Sequence, residues 1–299
     1  MFKKSRIKGL LTSTIKNMKF FFKVLRRNKV SLAGFLIVFA FIIMAAVGPE
    51  VVPYIRDVDI KKRFLPPSLE HPLGTDYAGR DTFAQIVHGS RDVLIVAFLT
   101  AVFTTIVSFV IGITSGFIGG KVDAVLMTFA DIFLTIPSFP LLIIIVTSLQ
   151  KILSVVEIAA ILSIVGWPAL ARAIRSQVLS IKEREFIESV VCLGLSKIHI
   201  LFGEILPNLL PYIFMNLILS TIGAIYSQVG LYFIGALPFT ATNWGVMIQT
   251  AINQGALVNP RVWWYLLSPL ACIILIQAGF ILFMHALEEI FNPRLRTEA

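Results

Sequence analysis

Eighteen consecutive residues, Val30 to Val47 (VSLAGFLIVFAFIIMAAV), carry no charge, and this run dictates the solvent before it dictates the fold. At about 1.5 Å per helical residue it crosses most of a hydrocarbon layer about 30 Å thick, and a helix satisfies its own backbone inside such a layer. Further apolar runs follow it. The chain of 299 residues is 57% hydrophobic and only 14% charged, whereas an ordinary water-soluble domain is about 25% charged. Lipid is therefore the solvent for much of the molecule. A cleaved leader would have an apolar region of about 7–15 residues behind a short basic flank. The flank here occupies residues 1–29, so the run is expected to be an uncleaved anchor.

That flank explains the net charge of +9. Lys3, Lys4, Arg6, Lys8, Lys16, Lys19, Lys23, Arg26, Arg27 and Lys29 precede the run with no acidic residue among them. Basic residues beside a span are retained on the cytoplasmic side and can rest on anionic headgroups. Nucleic-acid binding would instead need basic residues interleaved with stacking aromatics on a folded module, so no nucleic-acid partner is expected. Cys192 and Cys272 lie far apart, and His71, His88, His199 and His285 are scattered. Neither set has the spacing of a disulfide framework or a metal site, so no metal is expected.

Hydropathy and turn residues predict an all-α polytopic membrane fold with six transmembrane helices. The first occupies residues 30–52, with Val30–Val47 as its charge-free part, and residues 53–92 form an ordered external loop. Residues 93–287 make the core membrane domain. Its spans are expected at Val93–Phe117, Leu126–Leu149, Val155–Ala171, Leu209–Ile234 and Trp263–Leu287, with a polar loop at residues 172–207. Asp131, Pro137 and Pro140 make the third of the six a kinked helix that faces other helices rather than lipid, with Asp131 as an intramembrane polar site. Gly166 and Pro168 interrupt the fourth. Lys and Arg accumulate in the amino tail, in residues 172–207 and at Arg294 and Arg296 of the tail 288–299, which places both termini in the cytoplasm. Trp244, Trp263, Trp264 and Tyr265 fall at the outer ends of the last two spans, where an aromatic belt at headgroup level is expected.

The polar loop carries the mechanism. From Lys182 to Asn208 it has helical propensity broken by Gly194, which reads as a short helix, a tight reversal and a second short helix ending at Pro207. At helical spacing Phe186, Val190 and Leu193 share a face with Ile187 nearby, while Glu183, Glu185 and Glu188 lie elsewhere around the helix. A helix resting on headgroups would turn its carboxylates toward anionic lipid. Docking into a groove of a cytoplasmic partner suits an apolar stripe with acidic flanks better.

This segment resembles the cytoplasmic loop of ABC-importer permeases, which has Glu-Ala-Ala, three residues, Gly, nine residues, then Ile-x-Leu-Pro. Glu188, Gly194, Leu206 and Pro207 match at that spacing, while Ser189 and Val190 replace the alanines and Glu204 the isoleucine. The resemblance implies that Phe186, Ile187, Glu188, Ser189, Val190, Val191, Leu193, Gly194, Leu195, Leu206 and Pro207 form the loop that couples to ATPase movement. More of the chain is similar to the C-type permeases of the dipeptide, oligopeptide and nickel family. LRRNKVSLAG, HPLGTDYAGRD followed by His88-Gly89-Ser90-Arg91, GGKVDAVLMTFADIFLTIPS, ILPNLLP, NWGVM and the terminal NPRLR occur in order across it. The departures are Leu231–Pro238, where the family is richer in glycine, and Asn292, where Asp is common.

What the resemblance implies is half of a translocation pathway in the plasma or inner membrane, with the fold of a type I importer permease. Its partners would be a homologous second permease, two ATPase subunits and an external substrate-binding protein. No cofactor is expected in this chain, because ATP and Mg would be bound by the ATPases. Leu231, Tyr232, Phe233, Trp244 and Trp263 are candidates for the outer gate or mouth. Peptide, oligosaccharide and nickel all stay open as cargo, since the mouth is where the chain departs from the family.

Other classes fit less well. Gly119-Gly120-Lys121 has Val122 where a phosphate-binding loop needs Ser or Thr, and Ser115 where its first glycine belongs. An ion-coupled transporter would rest on Asp131 alone, without an inverted repeat. Asp131 and His285 make no catalytic constellation for an intramembrane enzyme.

Overall fold

The structure is a computed structural model that describes residue 25 and residues 27–238 and 242–291. Most of the basic amino tail and the terminal NPRLR lie outside the described residues. Nine helices organise the described part: α1 (Lys29–Val51), α2 (Thr82–Ile118), α3 (Gly120–Thr135), α4 (Ser138–Ser148), α5 (Val155–Lys182), α6 (Glu185–Cys192), α7 (Lys197–Phe233), α8 (Trp244–Asn253) and α9 (Trp263–Phe291). Five of them, α1, α2, α5, α7 and α9 with its leading turn, are long and apolar enough to cross a membrane. The pair α3 and α4 makes a sixth if counted as one span, bent by 84° at its break.

The chain divides into two compact units. Of the described residues, those up to Phe41 and from Ile274 onward form one, and those between Ile42 and Ile273 form the other. Within the first, α1 and the end of α9 pack through glycines. A Cβ on Gly34 would lie 2.5 Å from the Phe283 nitrogen, and one on Gly279 would lie 2.7 Å from Ile37 Cγ2. Backbones this close gain dispersion contacts, the main attraction left between helices once lipid is the solvent.

The second unit is built on α2 and α5, and its packing inverts the pattern of a soluble protein. The buried face of α2 consists largely of small or hydroxyl-bearing residues, Ala97, Thr100, Ala101, Thr104, Ser108, Gly112 and Gly116, while Ile95, Phe98, Ile106 and Val110 are exposed. Gly112 lies against the Ala171 carbonyl and Gly116 against Val178. Small residues bring the helices together and large ones are left for the hydrocarbon.

Several expected boundaries move. α2 begins at Thr82, where Asp81 accepts a hydrogen bond from the Ala84 N–H at 2.7 Å, so residues 82–92 are helix and not loop. The third expected span is broken outright between Thr135 and Ser138, with Pro137 at the junction. α5 does not stop at Ala171. A Ser154/Glu157 capping box starts it, and it runs unbroken through Gly166 and Pro168 to Lys182. Gly166 admits Thr104 rather than ending the helix. The second helix of the polar loop does not end at Pro207 either. It continues from Lys197 to Phe233 through a π-helical stretch, Ile200–Ile205. A proline ring collides with the carbonyl four residues earlier in regular helix, and the wider π turn just before Pro207 relieves that collision. The expected loop around Trp244 contains α8.

Residues 53–81 are tightly organised without a long element. Asp76 is fully buried; its carboxylate accepts from the Ala78 and Arg80 N–H groups and from Gln85 Nε2, and pairs with the Arg80 guanidinium at 2.7 Å. Burial works against the Arg80 charge, but its bonds to Asp76 outweigh that and raise its pKa. Gly74 and Gly79 take positive φ, and a Cβ on Gly79 would lie 2.0 Å from the Asp59 carbonyl oxygen. The HPLGTDYAGRD motif is therefore a knot around one buried ion pair.

Candidate functional site

The polar loop sits at the end of the second unit where α2 and α5 finish. Lys182 Nζ donates to the Gly116 and Phe117 carbonyls at 3.1 Å, stopping the C-terminus of α2, and Arg175 clasps Asp123 with Nε to Oδ1 at 2.8 Å. The Ser115 hydroxyl donates to the same Asp123 carboxylate and completes the clasp. Sequence reasoning missed this node. Its signal was an acid and two bases at the ends of adjoining spans, each without a local partner.

From that node α6 projects. Ile187 is 3% exposed and joins Ile174, Val178, Ile181, Ile200, Ile205 and Leu209 in one apolar cluster, with Val190 and Leu206 packed at its edge. Phe186, Val191, Leu193 and Leu195 are exposed, Leu193 to 77%, as are Glu188, Ser189 and Pro207. The expected single face of Phe186, Val190 and Leu193 is thus split: Ile187 and Val190 anchor the helix, and Phe186 and Leu193 point away. Gly194 ends α6 at φ +76°, with its N–H bonded to the Val191 carbonyl and the Leu195 N–H to that of Val190. That is the Schellman arrangement, which calls for a left-handed residue at this position. Ser196 then caps α7.

At the other end of the same unit lies a cleft of about 520 Å³, lined by residues that include Thr147, Gln150, Lys151, Tyr232, Leu237 and Gln249. Of the five mouth candidates, Tyr232 lines it. Leu231 and Trp244 are fully buried, and the Trp244 indole donates to the Ile86 carbonyl at 3.2 Å. Trp244 is therefore an internal peg and presents no mouth surface. Phe233 and Trp263 are exposed. The expected aromatic belt divides in the same way, because Tyr265 is buried against Gln85 while Trp263 and Trp264 remain about half exposed.

Asp131, on α3, is not alone. Its Oδ1 lies 3.1 Å from Arg172 Nη1 on α5, and the two side chains are 55% and 54% exposed on the chain's surface. No group of three or more His, Cys, Asp or Glu that could hold a metal occurs among the described residues.

Residues 108–297 match the family of the binding-protein-dependent transport system inner membrane component, and residues 18–67 match the N-terminal transmembrane domain of oligopeptide transport permease C. The chain belongs to this family of inner-membrane permeases. It is a multi-pass membrane protein, and the family match spans both the α6 loop and the Asp131–Arg172 pair. The oligopeptide transport system permease protein OppC of Bacillus subtilis is 30% identical over 273 residues, covering 91% of this chain and 88% of that protein. The dipeptide transport system permease protein DppC of the same organism is 29% identical over 276 residues, covering 91% and 84%. The OppC of Mycobacterium tuberculosis is 28% identical over 272 residues, covering 91% and 92%.

Proposed function

We propose that this permease forms half of the pathway of an ATP-driven importer of dipeptides and oligopeptides, working with a homologous second permease, two ATPase subunits and an external binding protein. The observation that carries the coupling role is α6 itself. A short helix anchored by Ile187 holds Phe186, Val191, Leu193 and Leu195 out into solvent, at the family's spacing from Glu188 to Pro207. Apolar side chains so displayed in water are stabilised by a partner that covers them. Hinge movement of an ATPase would then reach α5 and α7 through the cluster around Ile187. The loop and both termini lie in the cytoplasm, and the cleft at Tyr232 faces outward. ATP and Mg²⁺ belong to the ATPases. The names of the relatives support peptide cargo.

The test is a reconstituted complex carrying Leu193→Cys in a Cys192→Ser, Cys272→Ser background. A short bifunctional thiol reagent should join residue 193 to an ATPase subunit, and ATP hydrolysis should rise with peptide-loaded binding protein. An assembled complex in which residue 193 never cross-links to an ATPase would refute the docking role. Stimulation by an oligosaccharide-loaded binding protein alone would refute the peptide cargo.

A further inference from the structure

The Asp131–Arg172 pair is where the bilayer constrains this chain most. Gly112 packs against the Ala171 carbonyl, and Ala130 clusters with Ala171 and Ile111. Both charges therefore lie level with residues 111–112 of α2, inside the charge-free run from Val93 to Ile118. The nearer end of that run is six residues away, about 9 Å along the helix. Intramembrane ions turn to a bundle interior or a water-filled cavity rather than to lipid, yet both side chains are more than half exposed on this chain. The surface that bears them is thus not a lipid surface.

The neighbouring backbone says which kind of surface it is. Of the residues of α3, only Ala130 is buried, and Asp131 stands one turn before the 84° break that leads into α4. Thr135 and Ser138 are exposed at that break, and Thr147, Gln150 and Lys151 carry polar groups onward to the outer cleft. Exposed polar residues therefore stand at both ends of α4, Ser138 toward the ion pair and Thr147 toward the cleft, with the apolar stretch 139–146 between them. A broken helix beside intramembrane charge is the arrangement in which transporters hold charged cargo.

Resting on the peptide-import reading, we propose that Asp131 and Arg172 line the pathway and receive the two ends of a short peptide, the Arg172 guanidinium taking its terminal carboxylate and the Asp131 carboxylate its ammonium. The chemistry is an exchange of partners. A zwitterion entering the pair leaves every ion matched, whereas a peptide capped at one end leaves Asp131 or Arg172 without an ionic partner. The permease would then select for free termini beyond any selection by the binding protein.

The test uses the complete transporter in vesicles, with uptake measured per loaded binding protein for one dipeptide, its C-terminal amide and its N-acetyl form. Wild type should prefer the free peptide over each capped form by about tenfold or more, the scale of losing one hydrogen bond to a charged group. Arg172→Gln should lose the preference over the amide and keep that over the N-acetyl form; Asp131→Asn should do the reverse. The double variant D131N/R172Q leaves no lone charge, guards against failed assembly of the single variants, and should lose both preferences. Wild-type preferences in any assembled variant would overturn the assignment, since a purely structural pair predicts them. Failure of the wild-type complex to take up any of the three peptides would instead overturn the cargo reading and this proposal with it.

Discussion

Gly194 and Gly89 show how differently two glycines can be required. Gly194 sits at φ +76° with no atom within 4 Å of where a Cβ would stand, so a side chain there meets no obstacle and only the backbone objects. Gly194→Ala should cost about 1–2 kcal/mol of local stability, the penalty of a left-handed L-residue. It should loosen the end of α6 and lower ATP hydrolysis coupled to the loaded binding protein, and the β-branched Gly194→Val should abolish it in an assembled complex. Gly194→Asn, which tolerates that conformation, should recover much of the loss; equal coupling in all of these would contradict the role given to the turn. At Gly89 a Cβ would lie 1.9 Å from the Thr242 carbonyl oxygen and 3.0 Å from the Trp244 ring. Gly89→Ala should therefore act by overpacking, at about 1–3 kcal/mol, and appear as a lower unfolding temperature of the purified permease. Gly194 was legible in the sequence because a glycine in a helical stretch announces a reversal. The need at Gly89 was not, because it depends on a backbone more than 150 residues away.

Among the helices, composition exposed what crosses the membrane and concealed where each helix stops. Apolar runs marked all five long helices and the broken pair. Their ends were misjudged wherever a breaker residue was read by the rules of isolated helices: Pro168 and Pro207 both lie inside continuous helices. Neighbouring helices can re-satisfy the backbone that a proline frees, and a π turn can make room for the ring. The orientation of α6 was half legible. Its amphipathic spacing is real, but which apolar residues anchor and which project depends on where α5 and α7 stand, and no local pattern encodes that. The π stretch carries its own expectation. With Pro207→Ala the reason for the wide turn is gone, and relaxation to regular helix would turn α6 relative to α7 by roughly the 100° that one residue represents. The expected result is a normally inserted permease with reduced cross-linking of Leu193→Cys to the ATPase. Unchanged cross-linking would mean that other packing sets the π turn.

For the molecule as a whole, the exposed surface is not of one kind. From Ile95 to Ile118 the exposed residues of α2, among them Phe98, Ile106 and Val110, are all large and apolar, whereas the outward face of α3 carries Asp131 and, one turn on, Thr135. In water the large apolar face would be unfavourable and the polar groups at ease; in a membrane the preference is reversed. This division was partly visible in the sequence, which set Asp131 apart from lipid, but its partner Arg172 was hidden in what read as a polar loop. Thiol labelling separates the two surfaces. In a complex lacking Cys192 and Cys272, a cysteine at Ile106 should resist a small water-soluble maleimide, because hydrocarbon surrounds it. One at Thr135 should react, and its rate should change when a non-hydrolysable ATP analogue shifts the complex between its two openings. Equal protection of both positions in every nucleotide state would mean that α3 is sealed by the second permease, and the water path would have to run elsewhere.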